Sequence, residues 1–71
     1  MNTKKSMILD ALRQRSLNRF EAERLGDHCL NSTIAILRAE GHEIHATPEL
    51  VPTRFDREVR VHRYSLLREA E

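Results

Sequence analysis

The sequence predicts a helix in residues 28–41, HCLNSTIAILRAEG, and the residues on one side of it are small or able to form hydrogen bonds. Leu30, Ile34 and Leu37 recur at helical spacing and define its apolar face. The opposite face carries His28, Asn31, Ser32 and Ala35. An amide side chain can bond adenine through two atoms and a hydroxyl can bond several bases, so this face could contact base edges in a major groove. The alternative is plain solvated surface, because every amphipathic helix has a polar face.

Arginines recur near the C-terminal end, where they could bind phosphate groups. They occupy positions 54, 57, 60, 63 and 68. A basic turn and one strand edge would meet phosphates on either side of a groove, and Arg54, Arg57 and Arg60 are the candidates for these contacts. Charged residues on an edge strand also prevent edge-to-edge aggregation, so both interpretations stay open. The formal net charge of +1 is weak evidence about partners.

The sequence gives little support for catalysis or metal binding. Cys29 follows His28, and His42 and His45 lie further along. Adjacent residues on a helix diverge by about 100°, and the chain has a single cysteine, so the spacing does not suit a zinc site. No nucleophile motif or glycine-rich phosphate loop is recognisable. We therefore expect a non-enzymatic protein without metal or cofactor, in which Cys29 is small and partly buried.

Local signals predict three helices ahead of these arginines. The first spans residues 3–15, where apolar residues recur at helical spacing without an interrupting proline or glycine. The second begins at Asn18, which can form a capping box with Glu21, and it ends by Gly26. Asp27 is expected to cap the third helix, which continues to about Glu40 and is stopped by Gly41.

A β-ribbon is predicted after the helices. The segment EVRVHRYSL is rich in β-branched and aromatic residues, which predicts a strand from Glu58 to Leu66. HEIHAT, residues 42–47, is its expected antiparallel partner. A loop of about ten residues containing Pro48 and Pro52 would join the two strands.

The apolar residues divide into a core and a remainder. Four are expected to cover the apolar face of the third helix: Leu12, Leu17, Phe20 and Leu25. Ile36 points away from that face. The predicted loop also carries apolar residues, namely Leu50, Val51 and Phe55. Either this loop folds back over Ile36, or these residues form the surface of a homodimer or a protein partner.

The stretch LNRFEAERLGDHCLNSTIAILRAEGHEI, residues 17–44, resembles winged helix-turn-helix domains encoded in phages and prophages. The matching positions are Leu17, Asn18, Glu21, Ala22, Gly26, Leu30, Ile34, Leu37, Arg38 and Gly41. The later Tyr64, Ser65 and Leu66 resemble the closing strand of these domains. The resemblance covers about 50 of the 71 residues, and it implies an α+β fold of three helices and a two-stranded antiparallel wing.

Composition sets the remaining expectations. With 39% hydrophobic and 32% charged residues, the 71-residue chain is expected to form one globular domain over residues 1–71, located in the cytoplasm without membrane contact. The preferred hypothesis is a non-enzymatic protein that binds duplex DNA, as a dimer or as a regulatory or architectural accessory. The alternative is an interaction module that inhibits or recruits a phage or host protein. The near-neutral third helix favours this alternative, because polyanion-binding surfaces are usually basic.

Overall fold

The computed structural model describes residues 3–54 and 57–70. Within these residues, three helices precede two antiparallel strands. The elements are α1 (Lys4–Gln14), α2 (Arg19–Arg24), α3 (Leu30–Ala39), β1 (Glu43–Pro52) and β2 (Glu58–Arg68). This order confirms the predicted α+β fold, a small winged helix-turn-helix arrangement.

Capping residues fix the helix boundaries where the sequence predicted them. Thr3 caps α1, since its side chain accepts a hydrogen bond from a first-turn amide at 3.1 Å. Asn18 accepts from the Glu21 amide at 2.9 Å, and the Glu21 carboxylate accepts from the Asn18 amide at 3.0 Å, which confirms the capping box. Gly26 and Gly41 have φ values of 98° and 101°, a conformation that other residues rarely adopt after a helix.

The start of α3 differs from the prediction. Cys29, not Asp27, is the N-cap residue, and within the described residues its side chain makes no capping hydrogen bond. Asp27 instead accepts from the Cys29 amide at 2.9 Å and from the Thr33 hydroxyl at 2.6 Å. The prediction that Cys29 is partly buried is also wrong, because the residue precedes the helix and its thiol is exposed.

The core lies between the three helices and the base of the sheet. Its buried members are Ile8, Leu12, Leu17, Ala22, Leu30, Ile34, Leu37 and Ile44. The apolar face predicted for α3 is therefore confirmed. Phe20 is half-buried, but Leu25 is 41% exposed and does not cover α3 as expected. The reason is that α2 ends at Arg24, so Leu25 lies at its C-cap and lines a groove beside Met7.

Strand β1 is longer than predicted, because it continues through Pro48 to Pro52. Tyr64 on β2 exchanges backbone hydrogen bonds of 2.7 and 2.9 Å with Leu17, so its N–H and C=O point away from β1. Backbone direction alternates along a strand, and Pro48 lies opposite His62, two residues from Tyr64. At Pro48 the backbone nitrogen therefore points away from β2, toward solvent, and the same holds at Pro52. Neither proline removes a hydrogen bond between the strands.

The extended strand changes the predicted positions of the remaining apolar residues. Leu50 and Val51 lie on β1 rather than in a loop, and Leu50 is 56% exposed. Ile36 is 50% exposed, so the described part of the chain does not fold back over it. Phe55 lies outside the described residues.

Candidate nucleic-acid interface

The outer face of α3 is open along its length. His28, Asn31, Ser32 and Ala35 are all exposed. Leu30, Ile34 and Leu37 are at most 3% exposed and hold the opposite side of the helix in the core. Asn31, Ser32 and Ala35 therefore lie on the exposed side of a helix whose orientation is fixed by packing. The expected place of His28 on this helix is wrong, because α3 begins at Leu30 and His28 lies in the turn before it.

The candidate arginines lie on the ribbon formed by β1 and β2. Arg54, Arg57 and Arg60 are exposed. The turn between the strands is closed by Thr53, whose amide and hydroxyl each donate to the Arg57 carbonyl at 2.7 Å. This turn places Arg54 and Arg57 at the end of the ribbon, while Arg60 lies further along β2, nearer to the helices.

A cleft of about 500 Å³ brings the helix face and the ribbon together. Its polar lining residues are Arg19, Glu23, His28, Asn31, Arg60, His62 and Tyr64. His28, Asn31 and Arg60 therefore line the same cleft. The other candidates lie outside its lining: Ser32, Ala35, Arg54 and Arg57.

Two residues of this cleft were missed by sequence reasoning. Arg19 is the first residue of α2, and its guanidinium lies 5.3 Å from the ring centroid of Phe20. His62 follows Arg60 by two residues, so both side chains leave the same face of β2. Strand alternation could have indicated His62, whereas the position of Arg19 depends on how α2 meets the sheet.

The cleft contains two arginines, Arg19 and Arg60, and one carboxylate, Glu23. Among the described residues, neither Arg19 nor Arg60 forms an ion pair. Glu23 lies 3.6 Å from the His28 imidazole. Cations elsewhere are paired within the chain, as in Lys5 with Glu40, Arg13 with Asp10 and Glu69, and Arg15 with Glu21. Among the described residues, Arg19 and Arg60 are therefore the cleft cations that carry no carboxylate partner.

Arg63 differs from the candidate arginines Arg54, Arg57 and Arg60, because carboxylates of the chain itself hold it. Its guanidinium donates to Glu49 through two nitrogens and lies 3.0 Å from a Glu21 carboxylate oxygen. The hydrogen bond from Arg63 lowers the pKa of Glu49, and the same bond raises the pKa of Arg63. A guanidinium engaged in this way is not available for an external phosphate.

Within residues 3–54 and 57–70, no group of three or more His, Cys, Asp or Glu side chains is placed to hold a metal ion. The helices described here are too short and too polar to cross a membrane.

Comparison with known proteins identifies the domain. A family model described as a winged helix-turn-helix domain matches residues 3–69. Neither a curated protein nor a solved structure matches the chain. Winged helix-turn-helix domains are typically non-enzymatic, and the match suggests DNA binding. With three helices, an antiparallel ribbon and this match over nearly its whole length, the chain belongs to the winged helix-turn-helix domain family.

Proposed function

We propose that this protein binds duplex DNA, with α3 in the major groove and the β1–β2 ribbon against the phosphate backbone. The observation that carries the proposal is the cleft lined by Asn31 of α3 and Arg60 of β2, in which Arg19 and Arg60 form no ion pair among the described residues. A groove with a base-reading helix on one side and an arginine on the other matches the two kinds of contact that duplex DNA offers.

Each candidate residue has a distinct role in this proposal. Asn31 bonds a base edge through its amide, and Ser32 donates or accepts a single hydrogen bond. His28 contributes a further polar contact, and the Ala35 methyl leaves room for a base or packs on a thymine methyl group. The arginines at the ribbon bind phosphates on the flanking backbone: Arg54, Arg57 and Arg60.

The proposed biological role is regulatory or architectural and of the phage or prophage type, within the cytoplasm of a host cell. It is supported by the resemblance of residues 17–44 to winged helix-turn-helix domains of that origin. A non-enzymatic role is supported by the match to the winged helix-turn-helix domain family, whose members are typically not enzymes.

A salt series with random duplex DNA tests the proposal. Each lost phosphate contact lowers the slope of log affinity against log salt by about one unit, so Arg57→Ala and Arg60→Ala are expected to reduce the slope. Arg24→Ala is the matched control, since it removes the same charge from a groove between α1 and α2. Absence of duplex binding by the parent at low salt would overturn the proposal.

A second candidate function is a protein-interaction module, favoured by two exposed apolar residues. Ile36 and Leu50 are 50% and 56% exposed, and Val51 beside Leu50 is half-buried. A homodimer or a protein partner would cover them. Ile36→Asp and Leu50→Asp place a charge in such a contact, and sedimentation of each variant beside the parent measures the loss of association. An unchanged sedimentation coefficient would count against this candidate.

A further inference from the structure

A polar network joins the start of α2 to both strands of the ribbon. Arg63 on β2 binds Glu49 on β1, and an Arg63 nitrogen lies 3.0 Å from Glu21 on α2. The same nitrogen donates to the Ser16 hydroxyl at 3.0 Å. Asn18 completes the network, because its side-chain Nδ2 donates to a Glu49 carboxylate oxygen at 3.1 Å.

This network shares residues with the cap of α2. Asn18 and Glu21 form the capping box, so the groups that fix the start of α2 also hold the ribbon. The Arg63, Glu21 and Glu49 side chains are 29%, 21% and 27% exposed. Charge pairs that are partly shielded from water are screened less by salt than fully exposed pairs, and a guanidinium bound through several nitrogens is held in one orientation.

The network lies where the ribbon leaves the body of the protein. Ile44 and Leu66, which pair across the strands, pack on the core, and Tyr64 is bridged to Leu17. The next pair toward the turn contains Arg63, opposite Thr47. Beyond this pair, Val61 opposite Glu49 is also buried, at 5% exposed, although it is not a member of the core cluster. Arg63 with its polar partners and the buried Val61 therefore fix the ribbon where it leaves the core, and Arg63 is the member that links both strands to α2.

We propose that Arg63 is a positioning residue that sets the angle of the ribbon against α3, so that Arg60 and Asn31 face one DNA duplex. Arg63 itself does not touch the DNA. This inference rests on the proposed function, and it adds that affinity depends on a residue whose charge is neutralised within the chain.

A double-mutant comparison separates positioning from direct phosphate contact. Arg63→Met is expected to weaken duplex binding about tenfold, and Arg60→Ala is expected to cost much less in the Arg63→Met background than in the parent. Additive losses in affinity and in salt slope would overturn the proposal, because they indicate two independent phosphate contacts. Arg68→Met is the charge control on the same strand, and it is expected to leave this coupling unchanged.

Two further variants sharpen the comparison. Arg63→Lys keeps the charge but loses the guanidinium fork that reaches several acceptors, so it is expected to behave like Arg63→Met. Full affinity in Arg63→Lys would instead indicate a simple charge contact and would contradict positioning. Glu49→Gln is the milder variant for use if Arg63→Met unfolds, because it weakens the same pair from β1 while keeping a similar shape.

A measurement without DNA tests the mechanical part separately. Cys29 is the only cysteine of the chain and is exposed beside α3, so it can be spin-labelled together with a Glu58→Cys variant on the ribbon. The distance distribution is expected to be narrow with Arg63 present and broader after Arg63→Met. An unchanged distribution overturns the positioning role whether or not the parent binds DNA. If the distribution broadens in Arg63→Met but the parent does not bind DNA, the positioning role stands and only the proposed function is overturned.

Discussion

The buried Asp27 carboxylate accepts a hydrogen bond of 2.6 Å from the Thr33 hydroxyl, which links the turn after α2 to the second turn of α3. Asp27 is 2% exposed and Thr33 is 7% exposed. The second Asp27 oxygen accepts from the Cys29 amide at 2.9 Å. Since the N-cap side chain makes no such bond among the described residues, Asp27 secures the start of α3 from two positions upstream.

Replacing the Thr33 hydroxyl by a methyl group is expected to lower stability. Thr33→Val keeps the shape but leaves a buried carboxylate oxygen without this donor, which costs about 1–3 kcal/mol in the free energy of unfolding. Urea unfolding of the variant and the parent measures the loss. Ser32→Ala is the control, because it removes an exposed hydroxyl from the adjacent residue. Equal stability of Thr33→Val and the parent would show that the bond contributes nothing.

Truncation of Ile34 is expected to be much more damaging than truncation of Ile36. Ile34 is 1% exposed in the core, so Ile34→Ala removes buried contacts and leaves a cavity, at a cost of about 2–5 kcal/mol. A domain this small has little stability to lose, so we expect most molecules to unfold. Ile36→Ala, on the exposed side of the same helix, is the matched control. Similar thermal midpoints for the two variants would contradict the assignment of the buried face.

The helices were predictable because their signals are local. The capping box of Asn18 and Glu21 and the glycine ends of α2 and α3 depend on residues a few positions apart. The apolar row of α3 was also visible from spacing alone, and it turned out to be buried as expected.

The errors arose where distant residues decide the outcome. Pro48 was assigned to a loop because proline disfavours strands, but the direction of its missing N–H depends on the register with β2 and on the bridge between Leu17 and Tyr64. The ion pairs of Arg63 were equally hidden from the sequence. Its carboxylate partners, Glu21 and Glu49, lie 42 and 14 positions away along the chain, which no local pattern reveals.

Base recognition by α3 predicts that folding and sequence preference separate. Asn31 and Ser32 are exposed, so Asn31→Ala and Ser32→Ala are expected to change the free energy of unfolding by less than about 0.5 kcal/mol. Each lost base contact is expected to cost about 1–3 kcal/mol of discrimination between duplexes. Thermal melting and binding to a duplex library at fixed salt measure the two effects. An unaltered preference in both variants would remove these residues from base recognition.

Acid is expected to destabilise the protein through the carboxylates that Arg63 holds. Burial raises the pKa of Glu21, but the Asn18 amide and Arg63 outweigh it and leave the pKa below its ordinary value. Hydrogen bonding to Arg63 lowers the pKa of Glu49. A depressed pKa in the folded state stabilises the fold above the unfolded pKa, and this contribution is lost as the pH falls through the folded value.

The stability lost between about pH 7 and about pH 3 should therefore be smaller in Arg63→Met than in the parent, because the variant lacks the main cause of the lowered Glu49 pKa and one cause of the lowered Glu21 pKa. Arg13→Met is the control. Arg13 lowers the pKa of Glu69, so this variant removes a different share of the acid sensitivity and leaves the network of Arg63 intact. Urea unfolding at both pH values measures each difference. If Arg63→Met lost as much stability in acid as the parent, the network would not be the source of the acid sensitivity.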